Sequence, residues 1–386
     1  MREGCVLKTL GDLFSIGSSK RVYESQWRTK GVPFYRAREI VRLSRDGYVD
    51  NELFIEEELY VELSSKYGIP KAGDIMVTGV GTLGICYIVK ENDRFYFKDG
   101  NTLWFKTKEG TNPQYVQYAF KSEFLRRQID NCVGATVGTF TIERANKTTI
   151  PVPSFEEQER IVAELDLLTG IIDKQKQQLK ELDTLAQSIF YDMFGSPDAN
   201  EKEWIMKSLA EIGTIVSGST PSTSDESNWD GDVNWVTPAE LGVQLFYGET
   251  QRKITSKAAK SLTIMPIGTL LMSSRAPIGK LAITSVPMCC NQGFKNIVCG
   301  NNVNNIYLYY YLMLNINSIK AMGRGATFKE VSKQAVSSFK IMLPPMNLQE
   351  SFAKKIQSIE SQKKSINRSI AESQKLFDYT MDKYFG

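Results

Sequence analysis

Two short segments of this 386-residue chain have the residue types and spacing of ligand-binding or reactive chemistry, and neither has the context that chemistry requires. Gly79-Val80-Gly81-Thr82-Leu83-Gly84 follows the strand-like Asp74-Ile75-Met76-Val77-Thr78. That is the arrangement of a dinucleotide fingerprint, whose glycines let a pyrophosphate approach the backbone at a helix N-terminus. The next residues, Ile85-Cys86-Tyr87-Ile88-Val89, have a strand pattern where the fingerprint needs a helix, so the segment reads as a β-loop-β connection. Asn112-Pro113-Gln114-Tyr115 approaches the Asn-Pro-Pro-aromatic motif with which amino-methyltransferases hold a flipped base. It lacks the second proline, and no glycine-rich S-adenosylmethionine loop accompanies it. Asn112 as a helix N-cap, with Pro113 at the first helical position, accounts for the same spacing.

The chain contains no histidine, which removes Ser-His-Asp and Cys-His catalysis, His-ligated zinc and imidazole acid-base chemistry together. Six cysteines without a CxxC pair are expected to stay reduced, with Cys289 and Cys290 acting as small buried hydrophobes. Neither a cofactor nor a metal is expected. The most apolar run, Ile306 to Leu314, falls far short of the roughly twenty residues that span a bilayer, and no export signal is visible. The expected location is the cytoplasm.

The elements that must position any site come in two copies. Ile150, Pro153, Gln158, Phe194 and Gly195 recur as Ile341, Pro344, Gln349, Phe385 and Gly386, at a constant offset of 191. Upstream the offset drifts: Lys8-Thr9-Leu10 matches Lys207-Ser208-Leu209, Gly73-Asp74-Ile75 matches Gly268-Thr269-Leu270, and Thr139-Phe140 matches Thr327-Phe328. Insertions therefore belong to the globular parts. The expected divisions are a globular domain over 1–153, a helix over 154–195, a second domain over 196–344 and a second helix over 345–386.

Both helical segments follow a proline turn and carry an a/d apolar series, the mark of a coiled-coil seam. The seam residues are Ile161, Leu165, Leu168, Ile172, Leu179, Leu182 and Ile189 in the first helix, and Ile356, Ile359, Ile366, Ile370 and Phe377 in the second. Lys363, Ser373 and Thr380 interrupt the second series. About 33 residues at ~1.5 Å each exceed what a domain of this size needs, so the helices are expected to pair with each other. The expected fold class is α+β: two similar domains, each followed by a long helix, with the helices in an antiparallel coiled coil of pseudo-twofold plan.

Charge is distributed unevenly. Residues 1–45 hold ten basic side chains against four acidic, among them Lys20, Arg21, Arg36 and Arg38, while 46–62 hold seven acidic and none basic. The first helix is acidic, with nine acidic residues against four basic, and the second is slightly basic. Donor-rich loops recur in both halves. The first half offers Thr82, and Thr136 and Thr139 in a Gly/Thr loop; the second offers Ser219 and Thr220, Arg275 and Lys280, and Arg324 and Lys329. Glycines with hydroxyl and basic donors suit phosphate contact, and glycines alone also suit a plain turn.

The tandem order resembles the DNA specificity subunit of type I restriction-modification enzymes: a variable domain, Gly-Ala-Thr, Ile-x-Val/Leu-Pro, Glu157-Gln158 (Gln349-Glu350 in the second copy), then a heptad helix ending in Phe-Gly. The resemblance covers essentially the whole chain. It implies two target recognition domains that each read half of a split double-stranded DNA sequence through the donor residues named above, without catalysis. It further implies helices on which modification (methyltransferase) subunits, two of them, and restriction (translocase/nuclease) subunits assemble. A DNA-modifying enzyme with its own active site is the alternative, and a purely structural coiled-coil adaptor is a third reading that predicts no DNA affinity.

Overall fold

The computed structural model describes residues 5–130, 138–242, 244–323 and 330–386. The chain forms two compact units, Met1–Lys174 with Ser369–Gly386, and Gln175–Arg368.

In the first unit, the runs of β-branched and aromatic residues expected from their patterning form strands. Ile75–Thr78, buried at every position, lies inside a four-stranded antiparallel sheet ordered Phe14–Gly17, Thr102–Thr107, Ile75–Thr78, Cys86–Ile88. A second sheet orders Phe54–Ile55, Val32–Tyr35 and Tyr96–Phe97, the last two parallel. The ribbon Val6–Thr9 with Thr149–Val152 ties the start of the domain to its end. A short helix, Leu10–Leu13, follows that ribbon, started by a capping box between Thr9 and Asp12.

The second unit repeats this plan. Its main sheet is ordered Gly213–Ser217, Lys295–Cys299, Leu270–Met272, Leu281–Thr284, with Phe246–Tyr247 added at the edge. Arg252–Ile254, Trp229–Val236 and Cys289–Cys290 form the three-stranded sheet, and Met206–Ser208 with Lys340–Met342 the ribbon. Ser208 and Glu211 repeat the capping box. The differences lie inside the globular parts, as the drifting offset implies: helices Ala37–Asp46 and Glu57–Tyr67 stand in the first unit where the second has the four-residue Ser256–Ala259.

One expected match is corrected. Phe140 N donates to Gly79 O (2.9 Å), and the same bond in the second unit runs from Val331 N to Ser274 O (2.9 Å). Thr141 and Ser332 each cap the helix that follows. The structural partner of Thr139-Phe140 is therefore Glu330-Val331 at offset 191, and Thr327-Phe328 lie outside the described residues. A Thr-Phe dipeptide recurring near a loop is weaker evidence than a repeated bond.

The two long helices are Phe155–Phe194 and Met346–Phe385, 40 residues each; each starts within a residue or two of its proline turn and runs to the final Phe. Each unit takes part of each helix. In the first unit Ile161, Val162 and Leu165 share one core with Met381, Tyr384 and Phe385. In the second, Phe352, Ile356 and Ile359 share one with Ala186, Phe190 and Phe194. The start of one helix thus packs beside the end of the other in both units, which is antiparallel pairing. Among the seam residues Ile161, Leu165, Leu168, Ile172, Ile356 and Ile359 are buried, while Leu179, Leu182, Ile189, Ile366, Ile370 and Phe377 are half-buried. Lys363, at a seam position, is held by Asp183 (2.8 Å) and Glu360 (2.8 Å).

Candidate nucleic-acid interface

Among the described residues, donor-bearing loops named from the sequence are bonded together within each unit. In the first, Ser18 Oγ donates to Thr102 O (3.1 Å), Ser19 Oγ to Phe97 O (2.6 Å), and Lys20 N to Tyr96 Oη (3.1 Å). Gly79 N donates to Asn101 O (2.9 Å), and Phe140 N to Gly79 O, so the loops at 17–21, 79–84, 98–102 and 138–141 are bonded to one another. The Gly79–Gly84 loop runs into strand Cys86–Ile88, as its pattern implied, and Arg126 Nη1 holds it through Leu83 O (2.7 Å). Lys20, Arg21, Thr82 and Thr139 are exposed on this loop set. Thr136 lies outside the described residues.

The second unit joins the equivalent loops differently. Ser219 N donates to Cys290 O (2.9 Å), Thr220 Oγ1 bonds Gln292, and Ser274 N donates to Gly293 O (2.7 Å). Arg275 Nε (3.0 Å) and the buried Lys295 Nζ (3.2 Å) both reach the Glu330 carboxylate. Burial pushes Glu330 up, but those two cations outweigh it and hold its carboxyl below the ordinary value. Lys280 belongs to a different surface: its Nζ donates to Ala239 O (3.3 Å), and it lines a cleft of about 390 Å³ with Asp183, Glu360 and Lys363. Arg324 and Lys329 lie outside the described residues.

Magnitudes separate the basic candidates. Arg21 pairs with Asp99 at 2.9 Å on the surface, its side chain 66% exposed. Such a pair is worth at most about 1 kcal/mol, so a phosphate can replace the carboxylate. Arg36 and Arg38 instead converge on Glu39, whose side chain is 1% exposed. Removing a partner from a buried carboxylate costs on the order of 3–5 kcal/mol, which commits these guanidiniums to the fold. Burial raises the Glu39 pKa, and the bonds from Arg36 and Arg38 reverse this, leaving it lowered. The spacing Arg36-Ala37-Arg38-Glu39 could have signalled this cluster; the Glu330 bridge had no local signal, since Lys295 is 35 residues away in sequence.

The tempting motifs resolve as structure. Asn112 Oδ1 accepts from Gln114 N (2.9 Å) and Tyr115 N (3.2 Å), and Asn304 Oδ1 from Ile306 N (2.9 Å) and Tyr307 N (3.4 Å), both as N-caps. Cys289 and Cys290 are buried and not disulfide-bonded, their thiols pushed by desolvation up to about 11 and about 12. Among the described residues no group of three or more Cys, Asp or Glu could hold a metal, and no helix is long and apolar enough to cross a membrane.

Residues 2–184 and 201–373 each match the family described as type I restriction modification DNA specificity domain. The chain is similar to the MjaIX specificity subunit of Methanocaldococcus jannaschii (39% identity over 39% of this chain and 37% of that one). It is also similar to the MjaX specificity subunit of the same organism (26%, over 86% and 80%) and to the EcoR124I/EcoR124II specificity subunit of Escherichia coli (26%, over 64% and 65%). Among solved structures, its fold is shared by a chain from work on assembly and conformational transition of the type I R-M system, with a TM-score of 0.63 at 19% identity over 100% of this chain and 98% of that one. The fold is likewise shared by the S subunit from M. genitalium, with a TM-score of 0.61 at 14% identity over 99% and 96%.

Proposed function

The chain belongs to the type I restriction-modification DNA specificity family, with its recognition domain present twice, and from that premise we propose that it reads a bipartite double-stranded DNA target, one domain per half-site. The domains divide as 1–153 and 196–344, and the helices as 154–195 and 345–386. The observation that carries this reading is the convergence of donor-bearing loops at equivalent places in both units. Lys20, Arg21, Thr82 and Thr139, with Thr136, contact one half-site. Ser219, Thr220 and Arg275, with Arg324 and Lys329, contact the other. Phosphate contacts from these side chains fix position, and those that reach base edges supply sequence discrimination.

The chain itself neither methylates nor cuts DNA. Two modification subunits and the restriction subunits assemble on it in the cytoplasm and supply that chemistry. The absence of histidine and the structural role of Asn112 favour this reading over a modifying enzyme with its own site.

The test is a chimera in which residues 1–150 are replaced by the corresponding domain of another specificity subunit, assembled with its modification subunits. Methylation mapping should show one half-site changed and the other intact. Alteration of both half-sites, or methyl transfer by the purified chain alone, overturns the proposal. Binding should weaken steeply with salt, and Arg275→Ala should reduce the salt slope by about one.

A further inference from the structure

One buried amide occurs at the same place in each unit with the same bonds. Gln158, 1% exposed, lies in the first turn of Phe155–Phe194. Its Oε1 accepts from Asn112 N (3.0 Å), and its Nε2 donates to Pro153 O (3.2 Å) and Gly110 O (3.4 Å). Gln349, fully buried in the first turn of Met346–Phe385, accepts from Asn304 N (2.8 Å) and donates to Pro344 O (2.8 Å) and Asn302 O (3.3 Å). In each unit one side chain thus joins three backbone sites: the N-cap of a domain helix, the loop before it, and the proline turn that launches the long helix.

The bonded groups continue into the domain. Asn112 and Asn304 cap the helices Pro113–Ala119 and Asn305–Leu314, and the next tyrosine on each helix returns to the strand before the proline turn. Tyr115 Oη donates to Pro151 O (2.7 Å) and Tyr307 Oη to Met342 O (2.7 Å). Around these groups the sequences differ: Pro113-Gln114 in one unit is Asn305-Ile306 in the other. Holding the helix start to the domain by burial alone would need only apolar residues. A buried amide is costly unless its bonds are made, and when they are made it fixes one geometry over its neighbours.

We propose that Gln158 and Gln349 are positioning residues that set the angle at which each reading domain is carried on its helix, and thereby the number of base pairs between the two half-sites that the protein accepts. This rests on the bipartite reading above. Neither residue touches DNA in this account; each acts through the helix it anchors.

The test uses the full chain in complex with its modification subunits, selecting from duplexes in which the half-site bases and the gap length both vary. Gln158→Glu keeps the shape and the acceptor but removes both donors and sets a carboxylate against Pro153 O and Gly110 O. The expected result is that enrichment of the preferred gap over its neighbours falls by about fivefold, the ratio one net hydrogen bond is worth, while the bases at both half-sites stay the same. Gln349→Glu should do the same. Gln158→Asn, which keeps the amide but is one methylene short, serves if the charged variant does not fold. A folded variant with lowered thermal stability and an unchanged gap distribution overturns the positioning role, as does a change in half-site bases. Wild-type complex that enriches no split sequence overturns the bipartite reading together with this proposal.

Discussion

Where the domain meets its helix the two units are nearly superimposable in chemistry, and where their loops converge they are not. Gln158 and Gln349 make the same bonds, as do Tyr115 and Tyr307. The loops of the first unit are held by backbone bonds, the Ser18 and Ser19 hydroxyls and Arg126; those of the second are held by backbone bonds and, in addition, by a charge cluster of Arg275, Glu330 and Lys295. A buried amide with several partners tolerates little change, because any substitution strands polar groups. Loop tips bonded mainly through backbone can exchange side chains freely, which suits positions that must read different bases. The lesson is that the repeat preserves how a domain is carried and lets vary what it presents.

The largest effect should come from the far ends of the helices. Phe385 is fully buried in the first unit with its ring 5.0 Å from Tyr115, and Phe194 is fully buried in the second, 4.9 Å from Tyr307. Each Phe→Ala change should cost about 3–5 kcal/mol. Hydrogen exchange should show protection lost over 5–130 for Phe385→Ala, a change near the chain's last residue, and over 206–323 for Phe194→Ala. Loss in the same unit for both would mean that the cores are not completed in this crossed manner.

That crossing also marks the limit of what could be read in advance. The 191-residue offset, the a/d series and the N-cap at Asn112 were local or periodic signals, and periodicity survives in sequence. That Phe385 completes the first domain's core depends on antiparallel packing between residues hundreds of positions apart. A seam pattern specifies that a helix pairs, and the domain that receives its end follows from packing. Charge counts ignore partners for a related reason: within the basic stretch at 1–45, Arg36 and Arg38 pair with the buried Glu39, while Lys20 and Arg21 stay exposed.

A middle-sized effect concerns acid. Glu39 has a folded pKa held below its ordinary value, so its contribution is fully present above the unfolded value of about 4.3 and is lost as pH falls through the lower folded value. The first unit should therefore lose stability below about pH 4. Glu39→Gln should flatten that acid limb and, at neutral pH, cost about 1–3 kcal/mol through impaired bonds to Arg36 and Arg38. Glu330 in the second unit is also lowered but its side chain is 35% exposed, so Glu330→Gln should flatten the acid limb less. Thermal melts from pH 3 to 7, with exchange resolving the two units, test this ordering; equal acid sensitivity of both variants would contradict it.

The smallest effect should be at the one charged seam position. Lys363 stands where the first helix has Ile172, 191 residues earlier, and its side chain is 18% exposed between Asp183 and Glu360. Burial alone would lower its pKa, but the two carboxylates outweigh this and raise it. Replacing Lys363 by Met keeps the length of the chain and lets the seam close on an apolar group. It leaves Asp183, 58% exposed, in contact with water, and only Glu360, 19% exposed, loses a needed partner. A half-buried ion pair replaced by a hydrophobe of similar volume is often neutral, because the desolvation cost disappears with the attraction. Lys363→Met should therefore change the stability of the second unit by less than about 1 kcal/mol. A loss of several kcal/mol on denaturant unfolding would show that the ion pair, and not the apolar seam, holds the helices together there.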